Sequence, residues 1–268
     1  MIIIDDCSTD SSIQRIDSYN TDCLVKVFNE KNVGLSAVRN IGIKMAKGHH
    51  IAFLDSDDFY RPDFIEKMMN EVQGVDIAVC DYEAISKDGI VIDRYEEKTC
   101  NELIRGILNA NNSTVVWNKV YKKSAIKEIT FLEGVKNEDI LFNIEVLMRE
   151  AKVKFVREPM IFYRQLETSI TKKYDISLVK DMCKVLNKIE EQCKVKYPVE
   201  FSQCYMYYYV FIGLKRVINC KLGFLSYISF IKSIKMENCS LTALKTGCYS
   251  FKQKVIILFL YFCKAILR

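Results

Sequence analysis

Ile51-Ala52-Phe53-Leu54-Asp55-Ser56-Asp57-Asp58 is the stretch that decides the fold. Four apolar residues read as a buried strand, and the run stops in three carboxylates within four residues. Asp55 and Asp57 are two apart, so an extended backbone turns both toward the same side. Carboxylates collected at the end of a buried strand point to a divalent cation held by oxygen ligands against a substrate diphosphate. The competing reading is that all three cap loops, a common use of Asp.

The same design occurs earlier in the chain. Met1-Ile2-Ile3-Ile4 is a short apolar run ending in Asp5-Asp6, followed by the turn-rich Cys7-Ser8-Thr9-Asp10-Ser11-Ser12. Between the two acidic ends lies Glu30-Lys-Asn-Val-Gly-Leu-Ser-Ala-Val-Arg-Asn-Ile-Gly42. Each piece alone is a weak signal, but their joint order and spacing is specific. Together they resemble the family 2 glycosyltransferases. That pattern runs from a strand into D-D-G-S-T-D, through N-x-G-x-x-x-A-R-N, to F-L-D-S-D-D followed by a proline, here Pro62.

The resemblance covers residues 2–171 and implies an α/β fold of GT-A type, Rossmann-like, with a mixed sheet flanked by helices. Cys7 departs from the pattern's glycine, which matters if that turn needs a positive φ. Relatives also begin with one more strand and helix, about 30 residues, whose strand carries a Pro-x-Tyr-Asn-like motif that touches the nucleotide. The chain therefore reads as an N-terminally truncated form of the domain, and the neighbours of the absent strand are expected to show open edges.

Up to about Tyr95 strands alternate with helices, which argues an α/β sheet with parallel strands. Strands are expected at 24–28, 51–54 and 75–80. Helices are expected at 35–47, ended by Gly48, and at 63–73, between Pro62 and Gly74. Segments 82–85 and 90–95 flank Ser86-Lys-Asp-Gly89 as a hairpin. Further on come a β-rich run at 114–121, a helix at 139–150, and strands at 153–156 and 160–163. Past Tyr174 the chain turns helical, so a glycosyltransferase-like domain is expected over 1–174 and a helical extension over 175–268.

Half of the 268 residues are hydrophobic, enough for a sizeable core. The formal charge of +5 is modest and basic residues are interspersed with acids, which disfavours nucleic acid as a partner. From Phe251 onward the chain has Lys252, Lys254, Lys264 and Arg268 and no acid, a hint of contact with anionic lipid. Tyr205-Met-Tyr-Tyr-Tyr-Val-Phe-Ile212 reads as helix core, with a membrane-surface or partner helix as the lesser alternative. Eleven cysteines scatter singly with no Cys-x-x-Cys pair, which favours reduced thiols over disulfides or zinc. No signal peptide opens the chain, and the apolar run 255–263 falls short of the about 20 residues that span a bilayer. The expected location is the cytoplasm, with peripheral contact at the inner face of the membrane through the C-terminal helices.

The reaction implied by the resemblance is displacement of a nucleoside diphosphate from a nucleotide-sugar by an acceptor hydroxyl, with inversion. It needs a cation for the leaving charge, a base for the hydroxyl proton and a grip on the nucleotide. By match to the family motifs, Asp57 is assigned to Mg²⁺ or Mn²⁺, and Asp55 to the ribose or metal-bound water. Asp6, with its neighbour Asp5, is assigned to the base of the donor. Asp58 is the poorer ligand and a candidate turn cap.

Arg39 sits one turn into its helix, where a helix start and a guanidinium favour the donor diphosphate. An ion pair with a nearby Asp stands level with that reading, and Asn40 reads as a hydrogen-bonding or packing residue. Glu138-Asp139 resembles the family's E-D pair, which makes Asp139 the general base; the alternative is two acids that favour a helix dipole. Glu138 and Trp117, the latter in Val-Trp-Asn-Lys-Val-Tyr, are placed on the acceptor side, with burial of the indole equally open. Tyr163-Arg164 and Ser169-Ile-Thr171 match a downstream family segment and receive no catalytic role.

The leading expectation is a metal-dependent inverting glycosyltransferase that makes a surface polysaccharide or another glycan on a lipid carrier. Its partners would be a nucleotide-sugar donor and a glycan or lipid-linked acceptor. The alternative is a truncated, non-catalytic remnant or partner subunit of such an enzyme. A nucleotidyltransferase is disfavoured, because no Gly-rich basic loop follows the first strand. All of this requires Asp6, Asp57 and Asp139 to share one cleft.

Overall fold

A computed structural model describes residues 1–19, 21–87, 89–94, 97–109, 114–165, 176–220, 224–246 and 249–266. The strand and helix patterns fold the first part of the chain as β1 (Ile2–Asp5), α1 (Ser12–Ser18), β2 (Val25–Phe28), α2 (Leu35–Met45), β3 (His50–Ala52) and β4 (Phe59–Tyr60). α3 (Phe64–Glu71), β5 (Ile77–Ser86), β6 (Gly89–Asp93), α4 (Cys100–Leu108), β7 (Lys119–Lys122), α5 (Glu138–Leu147) and β8 (Val153–Arg164) follow. The remainder is helical: α6 (Ser177–Cys193), α7 (Pro198–Tyr205), a π-helical stretch Met206–Ile212, α8 (Gly213–Asn219), α9 (Phe224–Ser233), α10 (Leu241–Thr246) and α11 (Phe251–Ile266).

β1 and β2 pair in parallel, apart from a six-stranded sheet of order β3-β7-β5-β8-β4 with β6 on β5. In that larger sheet β5–β8 is parallel, whereas β3–β7, β7–β5, β4–β8 and β5–β6 are antiparallel. The mixed sheet implied by the resemblance is observed, and the parallel pairing read from the first 95 residues holds for β1–β2 but not for β3. β7 arrives late in the chain and inserts between β3 and β5, a pairing that local pattern does not encode. Among the described residues β1, β2, β3, β4 and β6 each pair with a single strand.

Two pairs of expected strands fuse. Ile77–Ser86 is a single strand whose buried half runs straight into the hairpin arm, with Tyr82 opposite Asp93 and Ser86 opposite Gly89. β8 likewise runs unbroken, and a register shift between Cys80 and Glu83 takes up its irregularity against β5. The β-rich run at 114–121 yields strand only from Lys119, because Asn118 bonds Cys80 by its side chain.

One face of the sheet packs Ile51, Ile77, Tyr121 and Phe142 into a core that continues through Val185, Tyr205 and Ile257 of the C-terminal helices. The other face buries Phe64, Met68, Trp117 and Met160 in a smaller cluster. α5 packs on α6 and α4 on α7, and the Tyr197 hydroxyl donates to Asn101 Oδ1 at 2.6 Å. The helical extension and the sheet therefore share one apolar core. The boundary expected at 174 lies outside the described residues. Among those residues, no helix is long and apolar enough to cross a membrane.

Candidate active site

The loops after β1, β2 and β3 and the start of α5 hold the acidic residues. Gly34 precedes α2 at φ 87°, a conformation that suits a residue without Cβ, and it offers no side-chain cap. The carboxylate of Asp6, 28 residues away, holds the turn that leads into α2: Oδ2 accepts the Gly34 N–H at 2.8 Å. Its Oδ1 accepts Val33 N–H and Asn29 Nδ2, both at 2.9 Å. Burial pushes the pKa of Asp6 up, but the donors of Val33, Asn29 and Gly34 outweigh it and hold the group below the usual carboxylate range. Asp5 is buried and accepts the Ser8 N–H at 3.0 Å. Cys7 takes φ 64°, so the turn that usually carries glycine does need the left-handed region.

Arg39 is the hub of the site. Nη1 donates to Glu138 Oε1 at 2.7 Å and Nη2 to Asp55 Oδ1 at 2.9 Å. The guanidinium also lies 5.4 Å from the centre of the Phe131 ring. Burial alone would lower the pKa of Arg39; Asp55 and Glu138 reverse that and raise it. Arg39 thus makes the ion pair that stood level with its diphosphate reading. Asn40 next to it is a hydrogen-bonding residue, clasping Phe131 N–H and C=O at 2.8 and 2.9 Å.

Asp55, Asp57 and Asp58 form one turn, closed by Asp58 N–H on Asp55 C=O at 3.1 Å. The backbone N–H of Arg164 donates to Asp58 Oδ1 at 2.9 Å, and its Nε donates to the carbonyl of Asp57. Asp58 Oδ2 is buried, with no hydrogen-bond partner among the described residues. Burial pushes the pKa of Asp58 up to about 6; Arg164 opposes the shift, and the charges of Asp57 and Asp55 add to it. Burial and the same three carboxylates raise Tyr163, which stands beside them.

Asp139, half-buried at the first turn of α5, accepts its own helix's Ile140 N–H at 2.9 Å. Burial and the neighbouring Glu138 push its pKa up to about 7, against Arg39 and Lys119, which pull it down. Lys119 is 1% exposed; burial lowers its ammonium to about 7, and Asp139 supports its charge. The carbonyl of Asp139 accepts Asn143 Nδ2 at 3.0 Å, and Asn143 Oδ1 accepts the Tyr121 hydroxyl at 2.7 Å. This chain fixes the start of α5 against β7.

Arg39 thus ties the end of β3 to the start of α5, and Asp55, Glu138 and Asp139 share one site with Asp57 and Asp58 on its rim. Asp6 joins through the turn into α2 that it holds. Trp117 is corrected as an acceptor residue. It is 3% exposed, stacked on Tyr163 at 5.2 Å and edge-on to Tyr82 at 4.8 Å, so no indole face is left for a sugar. Glu138 is equally enclosed and holds Arg39 rather than facing an acceptor. Residues 169–171 lie outside the described residues. Lys119 and Arg164 were missed as site residues. The signal for Lys119 was a lysine inside an apolar β-rich run; Arg164 had only its place in a matched segment.

Among the described residues no three His, Cys, Asp or Glu side chains gather as a ready metal cage. Mg²⁺ and Mn²⁺ sites that share a substrate's phosphates use one or two carboxylates and need no such cage. Hard oxygen donors at Asp55 and Asp57, beside an unpartnered Asp58 Oδ2, fit that mode.

A mixed sheet with helices on its faces and carboxylates at the strand ends defines a protein of GT-A fold. Crystal structures agree: S. aureus TarS 1–349 in complex with UDP-GlcNAc superposes with a TM-score of 0.74 at 17% identity, over 97% of this chain and 77% of that one. The Pyrobaculum calidifontis mannosyltransferase PcManGT, in complex with GDP-Man and Mn²⁺, gives 0.54 at 10% identity over 97% and 76%. Residues 1–130 match the model of glycosyl transferase family 2. EpsH of Bacillus subtilis (strain 168), a glycosyltransferase by name, is 31% identical over 193 residues, 66% of this chain and 56% of EpsH. Residues 1–130 of this chain thus form a glycosyl transferase family 2 region. The chain spans about half the length of the first curated relatives that it matches.

Proposed function

We propose that this chain transfers a sugar from a nucleotide-sugar donor to an acceptor hydroxyl in one inverting displacement. The observation that carries the reading is the Arg39 bridge between Asp55 and Glu138, 16 and 99 residues away in sequence. It brings the β3 acids and the α5 acids to one site. The UDP-GlcNAc bound by TarS and the GDP-Man and Mn²⁺ bound by PcManGT support a nucleotide-sugar donor and a divalent ion.

Asp139 is the general base in this reading. A carboxylate raised to about 7 is strong enough to take a hydroxyl proton as the bond to the sugar forms, yet is substantially ionised at neutral pH. Lys119 and Arg39 keep its anion tolerable in a half-buried place. Asp57, with Asp55, would hold Mg²⁺ or Mn²⁺, which when bound offsets the charge of a leaving diphosphate. Asp5 and Asp6 shape the donor side by fixing the loops around the base and ribose. The setting is cytoplasmic synthesis of a polysaccharide or other surface glycan.

The test is calorimetric titration of the full chain with UDP- and GDP-sugars and Mn²⁺ or Mg²⁺, together with release of nucleoside diphosphate in the presence of candidate acceptors. At least one donor is expected to bind in a metal-dependent way. Asp57→Ala should lose the metal dependence, and Asp139→Ala should keep binding but lose turnover. Absence of binding by every donor with either ion refutes the reading.

A further inference from the structure

α11 presents its apolar side to solvent. Ile257 and Leu260 are buried at 0% and 3%, whereas Phe251, Val255, Leu258 and Phe259 are 85%, 46%, 55% and 58% exposed. At 100° per residue these four fall within one arc of about 100°. Exposed Lys252 flanks the arc on one side and half-buried Lys254 on the other. The helix is held in this orientation: Tyr249 just before it donates to the carbonyl of Gln203 at 3.1 Å, and Tyr261 donates to the carbonyl of Cys239.

Along the sequence the charge in this part of the chain has one sign. Glu237 is the last acid of the sequence, and after it come Lys245, Lys252, Lys254, Lys264 and Arg268. A second copy docking face to face would set lysines against lysines. An anionic bilayer instead takes the phenylalanines and leucine among its acyl chains and the ammonium groups among its headgroups. The apolar arc covers one side of the helix between flanking lysines, the geometry of a helix lying along an interface rather than across it.

We propose that the outward face of α11 is a docking surface for an anionic lipid membrane, binding in the plane of the interface. The proposal is independent of the transfer chemistry. It is tested by co-sedimentation of the full chain with phosphatidylcholine vesicles, with and without about a third phosphatidylglycerol. The chain should sediment with the anionic vesicles and much less with the neutral ones, and about 0.5 M salt should weaken the binding. The combined variant Phe251→Ser, Leu258→Ser and Phe259→Ser should lose about tenfold or more in partition. The pair Lys252→Glu and Lys254→Glu, which alters only the flanks, should lose a similar factor and serves if the serine variant misfolds. No sedimentation on anionic vesicles, equal sedimentation on both compositions, or no loss in the charge-reversed pair overturns it. Self-association that vanishes in the serine variant, without vesicle binding, assigns the face to a second copy instead.

Discussion

Arg39→Met removes the guanidinium while keeping most of the volume of its stem. Glu138, whose side chain is 7% exposed, would then lose its partner at 2.7 Å and stay buried as a lone charge. Removing one member of a buried pair costs about 3–5 kcal/mol. Asp55 is 29% exposed, so water compensates most of its share, under about 1 kcal/mol. The lost contact over Phe131 adds about 0.5–1 kcal/mol. The expected destabilisation is about 4–6 kcal/mol at neutral pH, read by urea unfolding with circular dichroism and with the emission of Trp117, the chain's one tryptophan. Adding Glu138→Gln and Asp55→Asn should restore about half of the loss or more, since no carboxylate is then left unpaired. Arg39 also pulls the pKa of Asp139 down, so in the single variant the rising limb of the pH–rate profile should move to higher pH than in wild type. A cost under about 1 kcal/mol, or an unmoved limb, refutes the hub assignment.

Asp139→Asn should cut transfer by about 10²–10⁴-fold while leaving donor binding intact; turnover within a few fold of wild type excludes Asp139 as the base. The same variant changes the pH dependence of stability. Asp139 rises from 3.8 to about 7 on folding and Asp58 to about 6. Between these limits the folded chain keeps protons that the unfolded chain has released, so stability falls as pH rises across that window. Urea midpoints from pH 5 to 8 should decline less in Asp139→Asn than in wild type, and parallel curves would contradict the assigned shift. Cys7→Gly removes a side chain from a left-handed turn and should raise stability by about 0.5–1 kcal/mol; a lower thermal midpoint would show that the Cys7 side chain contributes more than its strain costs.

Much of the fold was legible because it rests on short-range rules. An apolar run that stops in acids reads as a strand reaching a site, whether or not its partner strands are known. Glycine and proline punctuation placed α2 and α3 to within a few residues of their observed ends. The hairpin at Ser86–Gly89 needed only turn chemistry and alternation. Strand direction was not legible: residues 119–122 enter between two strands already laid down, and sheet order is a property of the assembled core.

The acids Asp5, Asp6, Asp55, Asp57, Glu138 and Asp139 were visible as residue types at recognisable spacings, and composition alone marked the last helix as basic and apolar. Only the tertiary structure decided which of them meet and in what state. A carboxylate's pKa and a guanidinium's role depend on burial and on charges a few ångströms away, and these come from segments up to 99 residues apart. The same holds for Trp117, whose indole could serve as a platform or as filling until Tyr82 and Tyr163 closed over it, and for α11, whose exposed side was fixed only when Ile257 and Leu260 found the core.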